Sequence, residues 1–195
     1  VKEYIMTNKI KISKEEINEL PLYRFSGSIK LIDSKEEALK AIEALKGETL
    51  LGFDTESRPA FKKGESYDIS LLQLATSTHA YLFRLNKIPV IQGLVDILTD
   101  PNIVKTGVGI QDDVKGLKKL FPFEEKNFVD LAKIAQEKRI VNFGLRALTA
   151  ICLKKRLSKS TKISNWERQV LTPAQLHYAA CDAVVGFEIY GELCD

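Results

Sequence analysis

Apolar positions along this chain fall into two kinds of run. Short, nearly continuous apolar stretches occupy 28–32 (SIKLI), 49–54 (TLLGFD), 69–76 (ISLLQLAT) and 79–84 (HAYLFR). Runs of that length, rich in β-branched and aromatic residues, predict strands with buried faces. The third and fourth are separated only by Ser77–Thr78, which predicts a hairpin. NIVKTGV, 102–108, predicts one more strand.

Between and after them the spacing turns helical. Ala38, Leu39, Ala41, Ile42 and Leu45 share one face of a helix that Ser34-x-x-Glu37 opens and Gly47 ends. Ser13-x-x-Glu16 is a second capping box, for a short helix ending near Leu20. Helices are also predicted over 90–99, 111–120, 131–138 and 144–153, and a last one from Thr172, where Pro173 fits the first turn and Gln175 completes the box. The polar segment 154–168 reads as irregular. Strands first, then interleaved and finally dominant helices predict an α/β sandwich around a mixed sheet. Its 195 residues suit one domain, 1–195, with 1–27 as an N-terminal extension.

Composition narrows the chemistry. Hydrophobic residues at 45% and charged residues at 28% are ordinary for a globular chain. No apolar run approaches the ~18 residues of a membrane helix, and the polar, lysine-rich N-terminus lacks a signal-peptide pattern. A cytoplasmic (intracellular) protein with no membrane partner is expected. Three cysteines without a CxxC pair and only two histidines argue against a zinc centre, so oxygen ligands must carry any metal chemistry. A net charge of +3 is too small to imply a polyanionic partner by itself.

Candidate chemistry lies in the acids. Asp54 and Glu56 are two apart at a strand end, so they point to one side. Tyr178 and Asp182 are four apart on a helix, with the small residues Ala179, Ala180 and Cys181 between them. Asp113 stands in the first turn of its helix beside Asp112, the alternative acid there, and only one of two consecutive helical residues can face a common point. Gly107-Val108-Gly109 permits a tight turn, but with Asp at 112 it is not a dinucleotide fingerprint. Like charges on one buried face repel, and a divalent cation removes that penalty. Oxygen ligands from separate elements suit Mg²⁺ or Mn²⁺.

LGFDTE, NIVKTGVGIQDDVKGL and SNWERQVLTPAQLHYAACDAVVGFEIY, in this order and with Tyr four residues before the last Asp, resemble the three motifs of the DEDD 3′–5′ exonucleases, tyrosine subtype, a family that includes ribonuclease D. The resemblance covers roughly residues 28–195. It implies a ribonuclease H-like mixed sheet with helices on both faces. It also implies two-metal hydrolysis of phosphodiesters in DNA or RNA, from the 3′ end, releasing nucleoside 5′-monophosphates. Asp54, Glu56 and Asp182 would hold one ion; Asp54, with Asp113 through waters, would hold the second; Tyr178 would orient the attacking water. Ser57 stands where several relatives carry an aromatic, which leaves base stacking at that position open. A catalytically silent nucleic-acid-binding relative is the alternative, and the intact set of acids argues against it.

The partner implied is a single-stranded or 3′-ended nucleic acid. Thr55 is expected to contact it. Segment 154–168 has six basic residues against one acid, so Lys154, Lys155, Arg156, Lys159 and Lys162 are expected to line the phosphates. Trp166 offers either a stacking platform or a loop anchor, and Lys62 and Lys63 offer a second flank.

Overall fold

The computed structural model describes residues 9–158 and 163–194. Its elements are α1 (Lys14–Glu19), β1 (Ser28–Ile32), α2 (Lys35–Leu45), β2 (Leu50–Ser57), β3 (Ile69–Ala75), β4 (His79–Arg84), α3 (Gln92–Thr99), β5 (Val104–Gly107), α4 (Gln111–Leu120), β6 (Phe128–Asp130), α5 (Leu131–Glu137), α6 (Leu145–Leu153) and α7 (Pro173–Cys194). The capping signals act as read. Glu16 N donates to Ser13 Oγ while Ser13 N donates to Glu16 Oε2. Gln175 N donates to Thr172 Oγ1 while Thr172 N donates to Gln175 Oε1.

Six strands form one mixed sheet in the order β1-β4-β3-β2-β5-β6. The β3–β4 hairpin forms, and β3 also runs antiparallel to β2. Strand β2 continues three residues past Asp54, because β3 pairs with it as far as Ser57. On its other side β2 pairs with β5 only through Gly52, so among the described residues the acid-bearing end of β2 has one ladder neighbour. Strand β6 is an element the hydrophobic pattern does not announce: it is three half-buried residues long and completes the parallel edge beside β5.

Helices cover both faces. On one, Ala38, Ala41, Ile42 and Leu45 of α2, Leu94, Ile97 and Leu98 of α3, and Val114 and Leu117 of α4 close over Phe53, Leu72, Leu74 and Phe83. On the other, Ala179, Ala180, Ala183 and Val184 of α7 meet Leu71, Ala75, Ala80 and Leu82. Each large apolar side chain so buried contributes about 1.5–3 kcal/mol. A third cluster joins α5 and α6 to α7 through Leu131, Leu148, Val185 and Ile189. The N-terminal stretch belongs to this body: Ile10 bridges Ile140, Leu22 bridges Arg156, and the Tyr23 hydroxyl donates to Glu188 at 2.8 Å.

Small residues on α7 let it sit directly on β2. A Cβ at Gly52 would stand 2.0 Å from the Ala183 carbonyl oxygen and 2.9 Å from its carbon. Those atoms are backbone and cannot swing away. Gly52→Ala should therefore cost about 2–3 kcal/mol or more, read as a lower urea midpoint, whereas Gly47→Ala, with nothing within 4 Å, should stay within about 1 kcal/mol of wild type. Equal midpoints for the two variants would refute the tight seating.

Candidate active site

Strand β2 sorts its residues between the two faces. Gly52, Asp54 and Glu56 face α7, while Phe53 and Thr55 face α4, as the period of two requires. Helix α7 brings Asp182 down onto the first set. Carboxylate oxygens of Asp54, Glu56 and Asp182 all lie within 4.8 Å of one another, and Asp182 is buried. The Asp54 carboxyl is held well above the ordinary carboxylate range, first by burial and then by the charges of Asp182, Glu56 and Asp113, with the Thr55 backbone N–H donating to it in partial relief.

Tyr178 stands one turn before Asp182, and its hydroxyl donates to the Asp182 carboxylate. Burial, followed by the charges of Asp182 and Glu56, pushes its ionisation up, so it is a neutral donor throughout the physiological range. Trp166 fixes its ring: the two centroids are 6.1 Å apart at 36°.

Asp113 arrives from the other face. The turn into α4 uses Gly109 at φ +71°, and its N–H donates to Asp130 Oδ1 at 2.8 Å. That turn sets Asp113 where its carboxylate accepts the Thr55 hydroxyl. Burial raises the Asp113 carboxyl above its usual range, opposed by the Thr55 hydrogen bond. Three acids thus converge on one point, and Asp113 borders them from across β2. Asp112 is exposed and bonded to Lys115 at 3.1 Å, which leaves Asp113 as the acid facing the site.

Several of the expected substrate contacts have other engagements. The Thr55 side chain is engaged with Asp113, which makes it a support for that acid. Trp166 is only 1% exposed, so its ring is no platform for a base and serves as the anchor beneath Tyr178. Lys154 and Lys155 are exposed. Lys155 lines a hollow with Glu188 and Glu192 of α7, six and ten residues past Asp182, or about 9 and 15 Å along the axis at 1.5 Å per residue. Arg156 donates through Nε to the Leu20 carbonyl at 2.9 Å, so it fastens the N-terminal stretch. Lys159 and Lys162 lie outside the described residues. Exposed Lys62 and Lys63 stay on the loop after Glu56. That loop is tied to the Trp166 segment by Arg58–Glu167, 3.7 Å, and the segment itself is clamped by buried Arg84, whose guanidinium donates to the Arg168 and Gln169 carbonyls.

The profile of the 3′–5′ exonuclease family matches residues 29–195. The chain belongs to the 3′–5′ exonuclease family. It is 37% identical over 150 residues to the bifunctional 3′–5′ exonuclease/ATP-dependent helicase WRN of Mus musculus, a stretch covering 74% of this chain and 11% of that protein. It is 29% identical over 200 residues to a 3′–5′ exonuclease of Arabidopsis thaliana, covering 94% of this chain and 69% of that one. The chain thus spans about a tenth of the mouse protein. The fold matches the Nibbler EXO domain of Aedes aegypti with a TM-score of 0.77 at 23% identity, covering 95% of this chain and 90% of that one. It matches RNase D of Escherichia coli at 0.78 and 23%, covering 85% and 44%.

These acids give the cluster a pH signature in the absence of metal. A carboxyl whose folded pKa lies above its unfolded value of about 3.9 favours the fold below that value, and the favour is lost as pH rises through the folded pKa. Metal-free Asp54→Asn should therefore melt above wild type at pH 7, with the gap closing toward pH 4. Mn²⁺ at 100 times its Kd should add about 2.7 kcal/mol to wild type and little to Asp54→Asn. Identical melting of the two proteins at pH 7, with and without Mn²⁺, would contradict the repulsive cage.

Proposed function

We propose that this domain hydrolyses phosphodiester bonds one nucleotide at a time from the 3′ end of a DNA or RNA strand, releasing nucleoside 5′-monophosphates. The observation that carries the reading is the convergence of Asp54, Glu56 and Asp182 within 4.8 Å beside the Tyr178 hydroxyl. The donor set is all oxygen and strongly anionic, which fits Mg²⁺ or Mn²⁺ and does not fit zinc. Asp54, Glu56 and Asp182 would hold one ion, and Asp54 with Asp113 the second. Bound there, the ions supply the positive charge that makes water acidic at neutral pH and offsets charge on the phosphate.

The remaining work falls to the chain itself. Tyr178 remains protonated, with a ring immobilised by Trp166, so its hydroxyl can hold a water in line with the terminal phosphodiester. Thr55 keeps the Asp113 carboxylate turned toward the site. The strand is proposed to approach over Lys62 and Lys63, because Lys154 to Arg156 lie away from the carboxylates. Among the described residues no helix is long and apolar enough to cross a membrane.

Digestion of matched 5′-labelled DNA and RNA oligonucleotides with Mg²⁺ or Mn²⁺ tests the reading, and a descending ladder is expected. An immediate 5′-labelled mononucleotide, or cutting of a closed circle, would refute it. Tyr178→Phe keeps the ring and removes the hydroxyl; it should lower kcat by about 10²-fold or more with KM nearly unchanged. Unchanged kcat would leave Tyr178 a packing residue. Replacing Lys62 and Lys63 with alanine should flatten the dependence of log K on log salt by roughly 0.7 per lost contact, while the same change at Lys154 and Lys155 should leave the slope alone. The opposite pattern would return the strand to the 154–156 side.

A further inference from the structure

Helix α4 starts without a side-chain cap of its own. Its N-cap residue is Ile110, which has no acceptor to offer. Gly109, just before it, takes a left-handed φ of +71°, with nothing within 4 Å of where a Cβ would stand. Asp113 is the third residue of that helix, so any shift of the helix start carries Asp113 with it. A displacement of about 1 Å in a group that serves the chemistry can cost about 10²-fold in rate. The start of α4 therefore needs a restraint from outside the helix.

Asp130 supplies it. This is the last residue of β6, and it stands in parallel register with Gly107, the last residue of β5. Its Oδ1 accepts the Gly109 N–H at 2.8 Å and the Ala132 N–H at 3.0 Å. One oxygen thus caps α5 and clamps the turn into α4. Gly109 is exposed, so water would satisfy its N–H as well. What the bond to Asp130 adds is a fixed position, tied to the end of a strand in the same sheet that carries Asp54 and Glu56. Groups that hold a metal ligand in place are worth about 10–100-fold in metal affinity or activity.

We infer that Asp130 is a positioning residue: by clamping the Gly109 N–H it holds the β5–α4 turn, and through that turn the Asp113 carboxylate, at the second cation site. The inference rests on the proposed nuclease reading of the same site. Asp130 also acts on Asp113 as a like charge, and substitution separates the two effects. Asn keeps an oxygen acceptor at the same reach, and is an equally good helix cap, but drops the charge. Ala drops both.

Asp130→Ala and Asp130→Asn test it, beside Ser34→Ala, which removes the side-chain cap of α2 and controls for loss of a helix cap alone. Mn²⁺ binding is read by calorimetry, and kcat and KM on an oligonucleotide. Asp130→Ala should bind the second Mn²⁺ about 10-fold less tightly, with kcat lower and KM nearly unchanged. Asp130→Asn should stay near wild type, and Ser34→Ala should melt lower yet bind Mn²⁺ as wild type does. Added to Asp113→Asn, Asp130→Ala should cost little further Mn²⁺ affinity, because both act on one ligand. Wild-type Mn²⁺ affinity in Asp130→Ala, additive losses in the double variant, or an Asp130→Asn as weak as Asp130→Ala would each overturn the inference and leave the nuclease reading intact. An Asp130→Ala chain that does not fold would make the clamp a requirement of the whole fold and overturn a role specific to Asp113. If wild type itself neither binds Mn²⁺ nor cleaves, the nuclease reading falls and this inference with it.

Discussion

Helix α7 lies against strand β2 at a separation that a methyl group at Gly52 would prevent. The site depends on that contact. It lowers Asp182 onto the face that carries Asp54 and Glu56, so three like charges share a few ångströms. Isolated in solution, such groups would separate and hydrate. Here the strand is fixed by its β3 ladder and the helix by its small-residue face, so the repulsion cannot relax by movement. Together with burial, the larger cause, it raises the ionisation of Asp54, and a compact, doubly charged, oxygen-seeking ion would relieve it.

Other features keep this arrangement rigid and give it direction. Trp166 fixes the ring of Tyr178, Arg84 fixes the segment that carries Trp166, and the Tyr178 hydroxyl is already turned to Asp182. Asp113 is held from the opposite face through Thr55. The early end of β5 leaves the acid-bearing half of β2 without a second ladder neighbour, which opens one edge of the strand between the two faces. Acids from both faces therefore border that edge, Asp54, Glu56 and Asp182 from one side and Asp113 from the other.

Much of this was legible from local pattern. The capping boxes at Ser13, Ser34 and Thr172 fixed three helix starts, and the hairpin was signalled by two apolar runs around Ser77–Thr78. The pairs Asp54/Glu56 and Tyr178/Asp182 were recoverable because their geometry follows from period two and from the helical turn. What was not legible depends on long-range packing. Strand β6 is three residues after a polar stretch, with no pattern of its own. The apolar run of β2 ends at Asp54, and its continuation to Ser57 is set by pairing with β3. That Asp113 borders the site from the α4 face follows from where β5 stops. The lysine-rich 154–168 segment advertised its charge but not its position: Arg156 is drawn to the N-terminal stretch, Lys155 lies at the far end of α7, and Trp166 turns inward.

The central claim is that mutual repulsion, enforced by the seating of α7 on β2, makes Asp54, Glu56 and Asp182 a divalent-cation site. Anomalous diffraction from crystals grown with Mn²⁺ tests it most directly. The account predicts a manganese peak among the carboxylates of Asp54, Glu56 and Asp182, absent from Asp54→Asn crystals grown the same way. A peak elsewhere with none among these three acids, or an equal peak in the Asp54→Asn crystals, would contradict it.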